Sequence, residues 1–160
     1  MRETRTRDLA LLAEAIALAT ANACEGGGPF GAVVVRDGEV IGRGVNQVTT
    51  RHDPTAHAEV QAIRAACDSL GTHELAGCTL YASCEPCPMC LGAILWARVG
   101  RLVYAASRED AAAAGFDDSL FHEEVSRPAA ERELPSEHLP HPDTGTPFAT
   151  WQDCPRRRPD

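Results

Sequence analysis

From about Thr6 to Cys24 the apolar residues Leu9, Leu12, Ile16, Ala19 and Ala23 recur at helical spacing, and Gly26-Gly27-Gly28-Pro29 ends the pattern, which predicts an opening helix. The period then shortens. FGAVVV and EVIGRGV flank Arg36-Asp37-Gly38, whose Asp-Gly pair tolerates the positive φ angles of a two-residue hairpin turn, so two antiparallel strands are expected. Asp53-Pro54 is expected to cap and start a second helix that runs through Ala58, Ile63, Ala66 and Cys67 until Gly71. CTLYAS reads as a strand, PCPMCLGAILWAR as a helix entered through proline, RLVYAA as a strand and DAAAA as helix.

The order αββαβαβα requires helices to cover a sheet whose later strands are joined by helical crossovers. This predicts an α/β fold of the three-layer α/β/α sandwich type. Prolines at 128, 135, 140, 142, 147, 155 and 159 exclude a long regular element beyond that point. The expected organisation is a catalytic domain over 1–127 and an arm over 128–160.

Composition narrows the partners. With 160 residues, 44% of them hydrophobic, one domain with a real core is expected. The 15 basic residues are all arginine and, apart from Arg156, Arg157 and Arg158, are scattered; against 23 acidic residues they leave a net charge of −8. A chain so charged repels a polyanion and offers no basic stripe, so no nucleic-acid partner is expected. The most apolar stretch, Leu9 to Ala23, is interrupted by Glu14, Thr20 and Asn22 and falls short of the ~20 apolar residues of a membrane span. MRETRTRDLA shows no separate apolar core or cleavage site, so a cytoplasmic location is expected. Seven cysteines, odd in number and unevenly spaced, with three between Cys84 and Cys90, point to metal rather than disulfides.

The chemistry concentrates in His57-Ala58-Glu59 and Cys87-Pro88-Met89-Cys90, the second preceded by Pro86 and each at an expected helix start. Zn²⁺ takes nitrogen and sulfur ligands in a tetrahedron, and three protein ligands leave a fourth position for water. His57, Cys87 and Cys90 supply such an open set. Exposed N–H groups at a helix start favour thiolates. Glu59, two residues from His57, is placed beside a metal without ligating it, as a base that relays a proton; the alternative is a carboxylate that satisfies the helix start. Cys84 extends the pattern to CxxCxxC and reads as structural, or as a fourth ligand of a closed, non-catalytic zinc module. The Glu85 backbone N–H is a candidate donor toward the reacting oxygen. Trp96 and Tyr104 read as core, and His52, His73, His122, His138 and His141 lack partner spacing and take no role.

The H-x-E…P-C-x-x-C pattern is the signature of zinc-dependent nucleobase deaminases, with the Glu as acid/base. GGPFGAVVV, NQVTTRHDPTAHAEVQAIRAAC, LYASCEPCPMCLGAILWAR, YAASREDAAAAGFDDS and PAAERELP, in that order, resemble bacterial guanine deaminase of the cytidine-deaminase superfamily. The resemblance implies a cytidine-deaminase-like central mixed sheet of about five strands, zinc as cofactor, and hydrolysis of guanine to xanthine and ammonia. It implies that Asn46, Asp118 and the zinc ligand His57 hold the purine. An Asn amide can donate and accept, whereas a carboxylate only accepts, which suits the two kinds of edge guanine presents. Asn46 as a turn residue, and Asp117 and Asp118 as a solvated pair or helix cap, are the alternatives. Phe30 is a candidate to stack on the base, or a core residue. The family exchanges C-terminal segments between two subunits, so the resemblance implies a homodimer with arm exchange, hinged over 135–147 and burying Phe148 and Trp151. A family aromatic that reaches the substrate has no counterpart after Trp151 in CPRRRPD. Asp143 or Glu137 is a candidate second proton shuttle. Other aminated heterocycles remain alternatives: guanosine, triazines such as ammeline, and cytosine. tRNA adenosine deamination shares the motif but is disfavoured by charge.

Overall fold

Strand β1 (Gly31–Arg36) has every residue from Gly31 to Val35 buried, and it lies inside a four-stranded sheet in the computed structural model, which describes residues 2–158. Its antiparallel neighbours are β2 (Glu39–Val45) and β3 (Thr79–Cys84), and β3 pairs in parallel with β4 (Arg101–Ala106), giving the order β2-β1-β3-β4. The β1–β2 hairpin turns through Asp37 at φ 50° and Gly38 at φ 88°, as the Asp-Gly pair predicts.

Alternation along the strands divides the core into two layers. Ala32, Val34, Leu80 and Ala82 face one side, where they meet α3 (Ala58–Leu70) through Ala58, Ala62, Ile63 and Ala66 and α4 (Pro88–Trp96) through Ile94. Val33, Val35 and Tyr81 face the other, against Leu11, Leu12 and Leu18 of α1 (Arg2–Cys24). This is the expected α/β/α sandwich. Burying a side chain such as Leu80 or Val33 contributes roughly 1.5–3 kcal/mol relative to exposure. α3 lies close on β2 because glycine lets it: a Cβ at Gly44 would stand 2.1 Å from the Ala58 carbonyl oxygen, and one at Gly42 2.4 Å from that of Ala62. That closeness fixes the start of α3 beside the end of β2.

Two expectations are corrected. The sheet has four strands rather than about five, because after β4 the chain enters α5 (Arg108–Ala113) and then α6 (Ser119–Ser126) with only the Gly115 to Asp118 turn between them. The second long helix starts at Ala58, not at Pro54: Asp53 instead accepts from the Thr55 N–H at 2.8 Å and closes a turn of its own. A short helix α2 (Val48–Arg51) follows β2.

The chain divides into two compact units, Met1–Val125 and Ser126–Asp160. The second contains a 3-10 turn (Ala129–Glu131) and helix α7 (Thr146–Asp153), with the Arg157 guanidinium 5.8 Å from the Trp151 ring centre. None of its described residues is buried, and Leu134, Leu139, Phe148 and Trp151 are exposed. Among the described residues no helix is long and apolar enough to cross a membrane.

Candidate active site

The carboxyl ends of β2, β3 and β4 and the amino end of β1 lie along one edge of the sheet. α3 and α4 begin at this edge. His57 is the N-cap of α3, and Cys87 is the N-cap of α4, whose first residue is Pro88. The Cys87 Sγ accepts from the Cys90 N–H at 3.5 Å, so the helix start itself holds the sulfur. Cys90 follows one turn later, fully buried.

These residues converge. His57 Nδ1 is 3.5 Å from Cys87 Sγ and 3.5 Å from Cys90 Sγ, and the three ligand atoms all lie within 4.8 Å of one another. A tetrahedral zinc with Zn–N near ~2.0 Å and Zn–S near ~2.3 Å sets its nitrogen and sulfur ligands about 3.5 Å apart, so both the spacing and the N/S/S donor set fit that ion. The ionisation of the triad has the same sense. Hydrogen bonds from Cys90 and from His57 bring the Cys87 thiol down to about 4, while the neighbouring Cys87 sulfur and burial push Cys90 up. Cys87 likewise raises His57. One sulfur carries the charge and the other keeps its proton until a cation compensates both.

Glu59 lies in the first turn of α3 at 7% exposure, with Oε2 3.4 Å from Cys90 Sγ. Burial pushes its carboxyl up. A carboxyl whose proton affinity is raised this way, next to a metal cradle, has the character of a proton-transfer group.

Above the cradle opens a pocket of about 200 Å³, lined among others by Phe30, Asn46, Arg108, Phe116, Asp118 and Phe121. Asn46 is held from three sides: its backbone oxygen accepts from Asn22 Nδ2 at 2.8 Å, its Oδ1 from the Val48 N–H at 3.2 Å, and Gly28 packs so closely that a Cβ there would stand 2.9 Å from Asn46 Cγ. Asn46 therefore makes the turn and lines the pocket at once. The rings of Phe30 and Phe116 meet edge to face, with centroids 5.1 Å apart. Of the acidic pair, Asp117 accepts from the Ser119 N–H at 3.0 Å, whereas Asp118 Oδ2 is 3.2 Å from His122 Nε2.

The structure thus brings together His57, Glu59, Cys87, Cys90, Asn46, Asp118 and Phe30. Asp143 and Glu137 belong to the second unit, where both are exposed. The Glu85 N–H is not available as a donor to a reacting oxygen, because it donates to the Ala106 carbonyl at 2.9 Å. Cys84 is buried, with its sulfur 3.5 Å from the Ser107 carbonyl oxygen and its thiol pushed up by burial, and it stands outside the three-ligand cluster. Trp96 and Tyr104 are exposed rather than core. Sequence reasoning missed Phe116, Phe121, Arg108 and His122. Only His122 had a usable signal, its four-residue spacing from Asp118 on a helical face.

Residues 5–106 match the family described as the cytidine and deoxycytidylate deaminase zinc-binding region. The chain is 55% identical over 136 residues to guanine deaminase of Bacillus subtilis, covering 82% of this chain and 87% of that protein. The X-ray structure of guanine deaminase from Bacillus subtilis superposes with a TM-score of 0.91 at 50% identity, covering 94% of this chain and 96% of that one. A tRNA-specific adenosine deaminase of Bacillus subtilis is 40% identical over 126 residues, 79% of this chain and 78% of that protein.

Proposed function

The chain belongs to the cytidine and deoxycytidylate deaminase family, a zinc-binding family, and on that premise we propose that it hydrolyses guanine to xanthine and ammonia. The observation that carries this reading is the convergence of His57, Cys87 and Cys90 beside a buried Glu59 at the floor of a pocket walled by Asn46 and Asp118. Its likeness to a guanine deaminase over most of both chains supports the choice of ring. The pocket is smaller than the ~300–1,000 Å³ clefts that take drug-sized ligands, which suits a free base.

When held by His57, Cys87 and Cys90, zinc would supply the Lewis acidity that lowers the pKa of a water toward neutrality. In the net reaction the water oxygen bonds to the amine-bearing ring carbon, the C–N bond breaks, and the amine leaves as ammonia. Glu59 takes the proton from the attacking water and returns it to the departing nitrogen. Asn46, with both donor and acceptor capacity, reads the lactam edge, and Asp118 accepts from ring N–H groups. Phe30 and Phe116 provide an apolar wall for the ring. Asp143 or Glu137 is the proposed second proton shuttle, supplied by the arm.

The protein acts as a homodimer with exchanged arms. On α4, Leu95 is 69% and Trp96 78% exposed, and Leu91, Met89 and Tyr104 of β4 add to the apolar surface, while the second unit exposes Phe148 and Trp151. Analytical ultracentrifugation should give a dimer that Trp96→Glu dissociates; a monomeric parent protein would remove this part of the reading. Seven unpaired cysteines favour a reducing, cytoplasmic setting. A tRNA substrate is disfavoured by the net charge of −8.

Ammonia release from guanine, guanosine, cytosine, adenine, ammeline and a tRNA anticodon stem, with Glu59→Gln as the blank, tests the assignment. Guanine should be strongly preferred. Preference for another compound with guanine inert would keep the hydrolytic chemistry and reject the substrate.

A further inference from the structure

Asp118 is gripped from one side by the residue one helical turn later. Its backbone carbonyl accepts from the Phe121 N–H at 2.9 Å and the His122 N–H at 3.2 Å, and its Oδ2 lies 3.2 Å from His122 Nε2. Both side chains are only about a quarter exposed, at 24% and 26%, so this contact is better shielded than a surface ion pair. A carboxylate oxygen accepts, so in this contact His122 Nε2 takes the part of the donor.

Asp118 lines both the active-site pocket and a second cleft, whereas His122 lines that cleft and not the pocket. The imidazole therefore holds the carboxylate without itself lining the pocket. Asp117 does not compete for it, since its own carboxylate closes the turn onto Ser119. Among the described residues Asp118 Oδ1 has no hydrogen-bond donor, and it is the oxygen left to accept from a ligand.

We propose that His122 is a positioning residue: it holds Asp118 Oδ2 and so presents Oδ1, as a single acceptor, to the N–H edge of the purine in the pocket. The inference rests on the reading of Asp118 as a ring-binding group. It assigns a role to a histidine that touches neither the metal ligands nor the pocket, and it makes ring orientation depend on a bond outside the site. A carboxylate that loses this anchor is free to rotate about its side-chain torsions and meets the ring in many geometries, which weakens binding more than it slows the chemical step.

Steady-state kinetics with guanine on the zinc-loaded protein test it, with zinc content and melting temperature measured alongside. His122→Leu keeps bulk and removes the donor; KM should rise about tenfold with kcat changed less than about threefold. His122→Gln, whose amide nitrogen reaches the same place, should return KM to within about threefold of the parent. If His122→Leu does not fold, His122→Asn, with an amide too short to reach, takes its place. A KM within about threefold in the Leu variant overturns the inference, as does an equal rise in Leu and Gln variants. Asp118→Asn separates the two levels of the argument. If it raises KM while His122→Leu does not, only the role of His122 falls; if it leaves KM unchanged, the reading of Asp118 falls, and the inference with it.

Discussion

The floor and the wall of the pocket are built in different ways. The floor, His57, Glu59, Cys87 and Cys90, rests on the first turns of two helices pressed against the sheet, and Glu59 and Cys90 are buried. The wall takes Phe30 from the entry to β1, Asn46 from the end of β2, and Phe116 and Asp118 from the turn between α5 and α6, and is half-exposed or exposed. A floor fixed by backbone geometry suits a reaction whose atoms cannot move far. A wall held by side-chain hydrogen bonds, Asn22 on Asn46 and His122 on Asp118, can be retuned for another ring without touching the chemistry. Relatives with different named substrates within one family fit this division.

The largest effect should come from the floor. Cys90→Ala removes one of three ligands and should leave the protein without stoichiometric zinc by metal analysis and with ammonia release at background; retained zinc and turnover would show that the triad is not the site. At the wall, Asn46→Ala should lower kcat/KM for guanine about tenfold, mostly through KM, with zinc content unchanged. A fall in kcat alone would move Asn46 from the wall to the floor. Gly28→Ala reaches Asn46 indirectly, since its Cβ would stand 2.9 Å from Asn46 Cγ, and a rise in KM of roughly threefold is expected, smaller than that of Asn46→Ala because the amide is displaced rather than removed. An unchanged KM would mean the Asn46 loop yields freely.

The smallest effect on activity belongs to neither region. Asp8 on α1 accepts from Tyr81 Oη at 2.7 Å and pairs with both nitrogens of the Arg101 guanidinium at 2.9 and 2.7 Å, which ties α1 to β3 and β4. The Arg101 and Tyr81 hydrogen bonds bring its carboxyl down from 3.8 to about 2. A folded-state value below the unfolded one contributes stability above about pH 4 that is lost as the pH falls toward about 2. Discounted for water access, Asp8→Asn should cost about 1–2 kcal/mol at neutral pH in denaturant melts, with turnover per folded molecule unchanged, and the deficit should vanish near pH 2. A deficit that stays constant with pH would remove the ion pair as its cause.

The sequence made the floor legible and the wall only partly so, for a physical reason. Metal ligation demands particular atoms at particular helix positions, so His57, Cys87 and Cys90 leave a spacing that reads in one dimension, and Glu59, two residues from His57, reads with them. Alternating apolar residues and the Asp37-Gly38 turn likewise exposed four strands and the layers over them. Phe116 leaves no such trace and His122 only its four-residue spacing from Asp118, because it is the turn after α5 that brings one ring onto Phe30 and one imidazole to Asp118. Asp53-Pro54 misled as a helix start because an Asx turn and an N-cap draw on the same side-chain chemistry. Trp96 misled because an apolar pattern cannot distinguish a core from an exposed apolar face.

Glu59 is proposed to move protons at a zinc site it does not ligate. Glu59→Gln, assayed for zinc stoichiometry and guanine turnover in one preparation, tests it directly. One zinc per chain, an unchanged fold by circular dichroism, and turnover reduced by the ~10²–10⁴-fold that general acid–base catalysis contributes are expected. Turnover close to that of the parent, with zinc in place, would contradict it.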